Sequence, residues 1–106
     1  MQNLIHDYPR DPIALFPDRE SYLARKHPFM DRNLHMIRET LQEPDEVRVS
    51  VQDQGVHLYY RWYTDTALGD KYICVVVKWT DTRKFVITAY PTDRIKAADL
   101  VWQKTT

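Results

Sequence analysis

Glycine is almost absent from this chain: its 106 residues hold two, Gly55 and Gly69. No Walker-type or dinucleotide-binding loop can be built from them, because such loops need several closely spaced glycines to let backbone N–H groups cradle phosphate. Cysteine is scarcer still. The single Cys74 excludes a disulfide framework and a cysteine-based zinc site. Its neighbours Ile73, Val75, Val76 and Val77 mark it as a small packing residue. Long apolar runs are also missing: the longest is this five-residue stretch, against the ~20 residues of a membrane helix. Met1–Asp7 has neither the basic nor the apolar region of a signal peptide. The expectation is a soluble, cytoplasmic protein with no membrane partner. Charge of one sign is not in excess either, with 15 Lys and Arg against 15 Asp and Glu. At 43% hydrophobic and 28% charged residues, the composition is that of an ordinary globular domain rather than a disordered segment.

The charge balance is uneven along the chain. Residues 1–46 carry 6 basic and 9 acidic side chains, whereas residues 71–106 carry 7 basic and 3 acidic. A basic final third can face a polyanion even in a neutral protein, although such a bias is more often plain solvated surface.

Pro9, Pro12 and Pro17 make residues 1–17 read as an irregular arm, with one domain from 18 to 106. Residues 18–26 read as a short helix capped by Asp18. His27 precedes Pro28 and is therefore pushed out of helical geometry. Met30, Leu34, Ile37 and Leu41 then lie on one face of a second helix, 28–42, which Pro44 stops. Beyond it the hydrophobic period falls to two. Strands are expected at about 47–52, 56–63, 71–79 and 84–90, joined by short turns. The tail from Thr92 fits either a terminal helix or a fifth strand. The expected architecture is α+β, with N-terminal helices packed on a four-stranded antiparallel sheet.

Strand alternation sorts the side chains into two faces. Leu58, Tyr60 and Trp62 on the second strand, Ile73, Val75, Val77 and Trp79 on the third, and Phe85, Ile87 and Ala89 on the fourth are expected against the helices. The opposite face then carries His57, Tyr59, Arg61, Lys78, Thr88 and Tyr90. Cations and aromatic rings on a sheet face suit RNA, since cations meet phosphates and rings stack on unpaired bases. A half-wet antiparallel face has a similar composition without any ligand.

Three ordered motifs carry a resemblance over Arg19–Lys96. They are Arg25-Lys26-His27-Pro28, the run Ile37-Arg38-Glu39-Thr40-Leu41-Gln42-Glu43-Pro44-Asp45-Glu46-Val47, and Val75-Val76-Val77-Lys78 followed by Phe85-Val86-Ile87-Thr88-Ala89-Tyr90. In order and spacing they resemble the phage-type branch of the barnase–EndoU–colicin–RelE-like nucleases. The chain departs from that pattern in Glu20-Ser21-Tyr22-Leu23-Ala24, where the family usually has a Trp or His. The resemblance implies metal-independent cleavage of RNA (tRNA or mRNA), as in toxins and phage-associated proteins, with no cofactor. A cognate inhibitor protein and a homodimer are the protein partners it brings into view. It places the helix-end histidine on His27, the strand cation on Arg61, and the final hydroxyl and tyrosine on Thr88 and Tyr90. RNA carries its own nucleophile in the 2′-OH, so the protein need supply only a proton acceptor and donor and groups that hold the developing charge. Histidine titrates near neutrality and suits the proton transfer. Arginine holds phosphate through paired donors, and hydroxyls donate to the non-bridging oxygens. His57 could add an acid or base, and Arg25, Lys26, Tyr59 and Lys78 are candidate RNA contacts. His27 and His35 have no third ligand in view, so no metal site is expected. The alternative is a nucleic-acid-binding or protein-interaction module of the same fold that does not cleave.

Overall fold

The computed structural model describes residues 3–7, 9–96 and 98–104, the side chains of Asn3 and Leu4 excepted. The chain runs β1 (Asn3–His6), β2 (Pro12–Leu15), α1 (Pro17–Lys26), α2 (Pro28–Asp31), α3 (Leu34–Gln42), β3 (Glu46–Val49), β4 (Val56–Thr66), β5 (Gly69–Trp79), β6 (Lys84–Thr92) and β7 (Asp99–Gln103). All seven strands lie in one sheet, in the order β1-β2-β6-β5-β4-β3-β7. Every pairing is antiparallel except β2 on β6, which run parallel through Ile13–Lys84 and Ala14–Phe85.

This corrects the expected architecture of N-terminal helices on a four-stranded antiparallel sheet. The sheet is mixed and curled, and strand outweighs helix by 47% to 23%, so the sheet dominates the molecule. The arm expected at 1–17 is a β-hairpin followed by the start of α1. Its prolines occupy places where a missing N–H costs little: Pro9 in the turn, Pro12 at the first position of β2, Pro17 at the first position of α1. Between them Ile5, Ile13 and Leu15 are buried in the core.

Other boundaries shift for local reasons. Phe16, not Asp18, holds the N-cap of α1, and Asp18 sits in its first turn. The expected helix over 28–42 breaks into α2 and α3 at Asn33, whose Nδ2 donates to the Phe29 carbonyl at 2.7 Å. The tail takes the strand alternative, with β7 antiparallel to β3.

The helices cover one face of the sheet. Leu23, Met30, Ile37 and Leu41 meet Val47, Tyr59, Ile73, Val75, Val77, Val86 and Ala89 there, all with no exposed surface. A second, smaller cluster on the other face holds Leu58, Tyr60 and Cys74, with Val56, Tyr72, Val76, Tyr90 and Ile95 packed against it.

These clusters reverse the expected facing of β4. Tyr59 and Tyr63 point towards the helices, and Leu58 and Tyr60 point away. The more polar set goes inside because partners wait for it. The Tyr59 hydroxyl donates to Asp7 Oδ2 at 2.8 Å, Tyr63 donates to Glu39 Oε1 at 2.7 Å, and Arg61 Nη1 donates to the Glu43 carbonyl at 2.6 Å. Lys84 Nζ also bonds Asp7 Oδ2 at 2.9 Å, which ties the hairpin turn to the sheet. On β6 a bulge opposite Val76–Val77 leaves Ile87 unpaired in the register. The extra residue shifts the alternation, so Val86 enters the core while Thr88 and Tyr90 keep the opposite face.

Candidate functional site

The bulge also explains how α1 reaches β6. Arg19 Nη1 donates to the carbonyl of Ile87 at 3.4 Å. Beyond Phe85, β2 no longer pairs with β6, and α1 and α2 pack against β6. His27 stands at their junction as both C-cap of α1 and N-cap of α2, with φ −137° and ψ 70°. Its N–H donates to the Leu23 carbonyl at 2.8 Å and its carbonyl accepts from Met30 at 2.9 Å. Backbone on both sides thus fixes the residue, as expected for a position before proline. Its half-exposed imidazole lies 6.3 Å from the Tyr22 ring and 6.0 Å from the Tyr90 ring, centroid to centroid.

Tyr90 belongs to a row that crosses the sheet, Tyr60–Cys74–Tyr90, in direct register on β4, β5 and β6. Burial pushes the pKa of the Cys74 thiol, between the two tyrosines, up to about 11. Burial, followed by the influence of Cys74, raises the pKa of Tyr90; Tyr60 is raised chiefly by burial too. Both phenols are therefore neutral donors at ordinary pH, not bases. Thr88 lies two residues before Tyr90, on the same face. Its Oγ1 is buried and has no hydrogen-bond partner among the described residues.

Thr88 and Tyr90 line a cavity of about 340 Å³ together with Leu58, Val76 and Lys96. The segment between β6 and β7 supplies Lys96. Its backbone N–H donates to Tyr60 Oη at 3.2 Å, and its Nζ lies 5.8 Å from the centre of the Tyr90 ring. Two hydroxyls and an ammonium group thus line one cavity, and the His27 imidazole stands beside Tyr90 at its edge. Among the described residues no three His, Cys, Asp or Glu side chains gather in a way that could hold a metal ion.

The structure sets His27 beside Tyr90 and lines one cavity with Tyr90 and Thr88, and it leaves Arg61 elsewhere. Arg61 pairs with Ile73, on the helix side of the sheet. There it caps the end of α3 at Glu43 and lies 5.6 Å from the Tyr63 ring. His57 is also on the helix side, 7% exposed and stacked on Trp79 at 3.6 Å. Burial, then the Lys84 ammonium, holds its imidazole below the ordinary value. Tyr59 is fully buried on Asp7. Neither residue can meet a nucleic acid on the open face. Lys78 is on that face, bonded to Asp53 at 2.9 Å. Arg25 and Lys26 are exposed in the last turn of α1, next to His27. Sequence reasoning missed Lys96 and Arg19. The alternation Arg94-Ile95-Lys96 was the available signal: Ile95 packs on the sheet and its cationic neighbours stay exposed.

Neither a curated protein nor a solved structure matches the chain. The family described as phage-Barnase-EndoU-ColicinE5/D-RelE like nuclease2 matches residues 2–104. With nearly its whole length matched, the chain belongs to this family of phage-type nucleases.

Proposed function

We propose that this nuclease is a metal-independent endoribonuclease, acting on tRNA or mRNA in the manner of a toxin. The observation that carries the reading is the His27 imidazole 6.0 Å from Tyr90, beside a cavity lined by the unpartnered Thr88 hydroxyl and by Lys96. In the proposed reaction His27 takes the proton of a ribose 2′-OH. The oxygen attacks the adjacent phosphorus, the P–O5′ bond breaks, and the departing 5′ oxygen takes a proton from water, while His27 returns its own to solvent. The products are a 2′,3′-cyclic phosphate and a free 5′-OH. Tyr90, held protonated by burial, and Thr88 are the neutral donors to the phosphorane oxygens. Lys96 balances the added negative charge in the role that the sequence alone assigned to Arg61. The donor set is imidazole, hydroxyl and ammonium, which suits chemistry that needs no divalent ion. DNA lacks the 2′-OH and is bound without being cut.

The test is incubation of tRNA and total RNA with the wild type and His27→Ala, with and without EDTA. Cleavage in EDTA to cyclic phosphate ends is expected, with a loss of ~10²–10⁴-fold in His27→Ala. Cleavage that requires magnesium, or that survives His27→Ala unchanged, overturns the mechanism. Salt-sensitive RNA binding with no cleavage of any RNA would favour the non-cleaving module instead. The toxin role has its own readout: expression should arrest growth, and His27→Ala should relieve the arrest.

A further inference from the structure

One row beyond Tyr60–Cys74–Tyr90, the sheet carries Trp62, Tyr72 and Thr92 in register on the same open face. Trp62 is 42% exposed, the only Trp or Phe among the large exposed apolar side chains of the described residues. The ring is nonetheless held in place. Tyr72 meets it edge-on at 4.7 Å and 65°, and Tyr72 in turn meets Tyr60 edge-on at 6.2 Å and 85°. The Trp62 backbone N–H donates to Asp45 Oδ2 at 2.7 Å, which fixes the strand where β3 begins. A strand-borne indole propped by a tyrosine keeps an open surface, and no ring or cation contact other than Tyr72 is made to it among the described residues.

The carboxylates near it are engaged, Asp45 by the Trp62 N–H and Asp93 by Lys71, whereas Arg94 and Lys96 have no ion pair among the described residues. Arg94 follows Thr92 in a tight turn: the Thr92 hydroxyl donates to the Arg94 carbonyl at 3.1 Å and accepts from the Arg94 N–H at 3.5 Å. Arg94 and Lys96 are both exposed. They flank the aromatic row at the β6 end, so an anion lying along the open face would pass between the cations and the rings. Two residues along a strand span ~7 Å. Trp62 and Tyr90 are also two strands apart, ~10 Å, so the indole stands ~12 Å from Tyr90, within reach of the base of an adjacent extended nucleotide.

We propose that Trp62, supported by Tyr72, is a stacking platform for one unpaired base of a single-stranded nucleic acid, next to the nucleotide whose phosphate sits at Tyr90 and Thr88. Arg94 and Lys96 hold the intervening backbone. This rests on the reading of the open face as the RNA site. It adds the substrate class: strands with an unpaired base adjoining the cut, in preference to continuous duplex, whose bases are not free to stack on protein. A π-face is common to all bases, so the platform selects for single-strandedness rather than sequence.

The experiment measures binding of a labelled, uncleavable 2′-deoxy single strand by fluorescence anisotropy, alongside the same sequence as a duplex. Stacking needs no 2′-OH, so binding is read independently of cleavage. Wild type is expected to prefer the single strand. Trp62→Ala should weaken single-strand binding by on the order of 10-fold or more. Trp62→Phe should keep most of the affinity. The salt dependence of Trp62→Ala should match that of wild type, since no phosphate contact is lost. Circular dichroism of both variants confirms that they are folded. Unchanged binding in a folded Trp62→Ala overturns the proposal, as does equal wild-type affinity for duplex. A wild-type dimer that Trp62→Ala dissociates would overturn it too, assigning the indole to a second copy of the chain. Loss of RNA cleavage alone does not touch it: stacking with no cleavage sinks the ribonuclease reading and leaves the platform standing.

Discussion

Lys96 and Arg61 are cations on opposite faces of the same sheet, and their surroundings divide their roles. Arg61 Nη1 donates to the Glu43 carbonyl at 2.6 Å, satisfying an oxygen at the C-terminal end of α3 that the helix itself leaves open. Removing the side chain leaves that carbonyl without its charged donor, at a cost of ~1–3 kcal/mol. Lys96 makes its one tertiary hydrogen bond through the backbone, to Tyr60. Truncating its exposed side chain preserves that bond and should alter stability by no more than ~0.5 kcal/mol. Opposite outcomes follow. Arg61→Ala should lower the denaturant midpoint and leave the cleavage rate of the folded protein near that of wild type. Lys96→Ala should keep the midpoint and lose ~10²-fold in cleavage, the scale of a lost charge-stabilising donor. Cleavage abolished in a fully folded Arg61→Ala would return Arg61 to the site and remove the case for Lys96.

At the scale of elements, legibility in the sequence followed the self-sufficiency of each segment. β5, expected at 71–79 and found at 69–79, is an apolar strand whose own residues decide its state. α1 is fixed by Pro17 ahead of it and by the His27-Pro28 break behind it. His27, Thr88 and Tyr90 are marked locally, by a proline break and a short strand motif. β1 and β2 could not be seen, because each has four residues and its pairing partner lies across a proline turn or on the distant β6. The facing of β4 was hidden for a related reason. Asp7, after β1, and Glu39 and Glu43, in α3 and at its C-cap, decide it, and none of them is in β4. The β4–β5 hairpin is a counter-example whose turn chemistry is local. Gly69 closes it at φ 93°, with nothing within 4 Å of where a Cβ would stand. Gly69→Ala therefore meets no steric clash and reports backbone strain alone, worth ~1–2 kcal/mol for an L-residue in left-handed geometry. Urea unfolding should show the midpoint falling with the m-value unchanged. An unchanged midpoint would mean that the turn relaxes to another geometry.

Over the whole molecule the acidic first half and basic final third divide between scaffold and open face. Asp7, Asp11, Glu39 and Glu43 hold Tyr59, Lys84, Tyr63 and Arg61 on the helix side. Lys96, from the basic third, lines the cavity. The scaffold side carries a measurable pH dependence of stability. His57 of β4 stacks on Trp79 of β5, and Lys84 of β6 lies 3.8 Å from the Trp79 ring. The carboxylates of Asp7 and Asp11, which face Lys84 from the hairpin, leave enough of its field for the imidazole to be held down after burial has done most of the work. A depressed pKa in the folded state means that unfolded His57 takes up a proton that the folded protein resists. The associated stability is fully present above the ordinary value of ~6.5 and is lost as pH falls from there through the folded value. His57→Phe keeps a flat ring against Trp79 and cannot titrate. Between about pH 8 and about pH 5, wild type should therefore lose more unfolding free energy than His57→Phe, with the extra loss beginning near pH 6.5. Denaturant melts of both proteins at a series of pH values make the comparison, and the shared carboxylate titrations cancel in the difference. Parallel pH profiles would show that folding does not disfavour protonated His57, and that solvent reaches the stack.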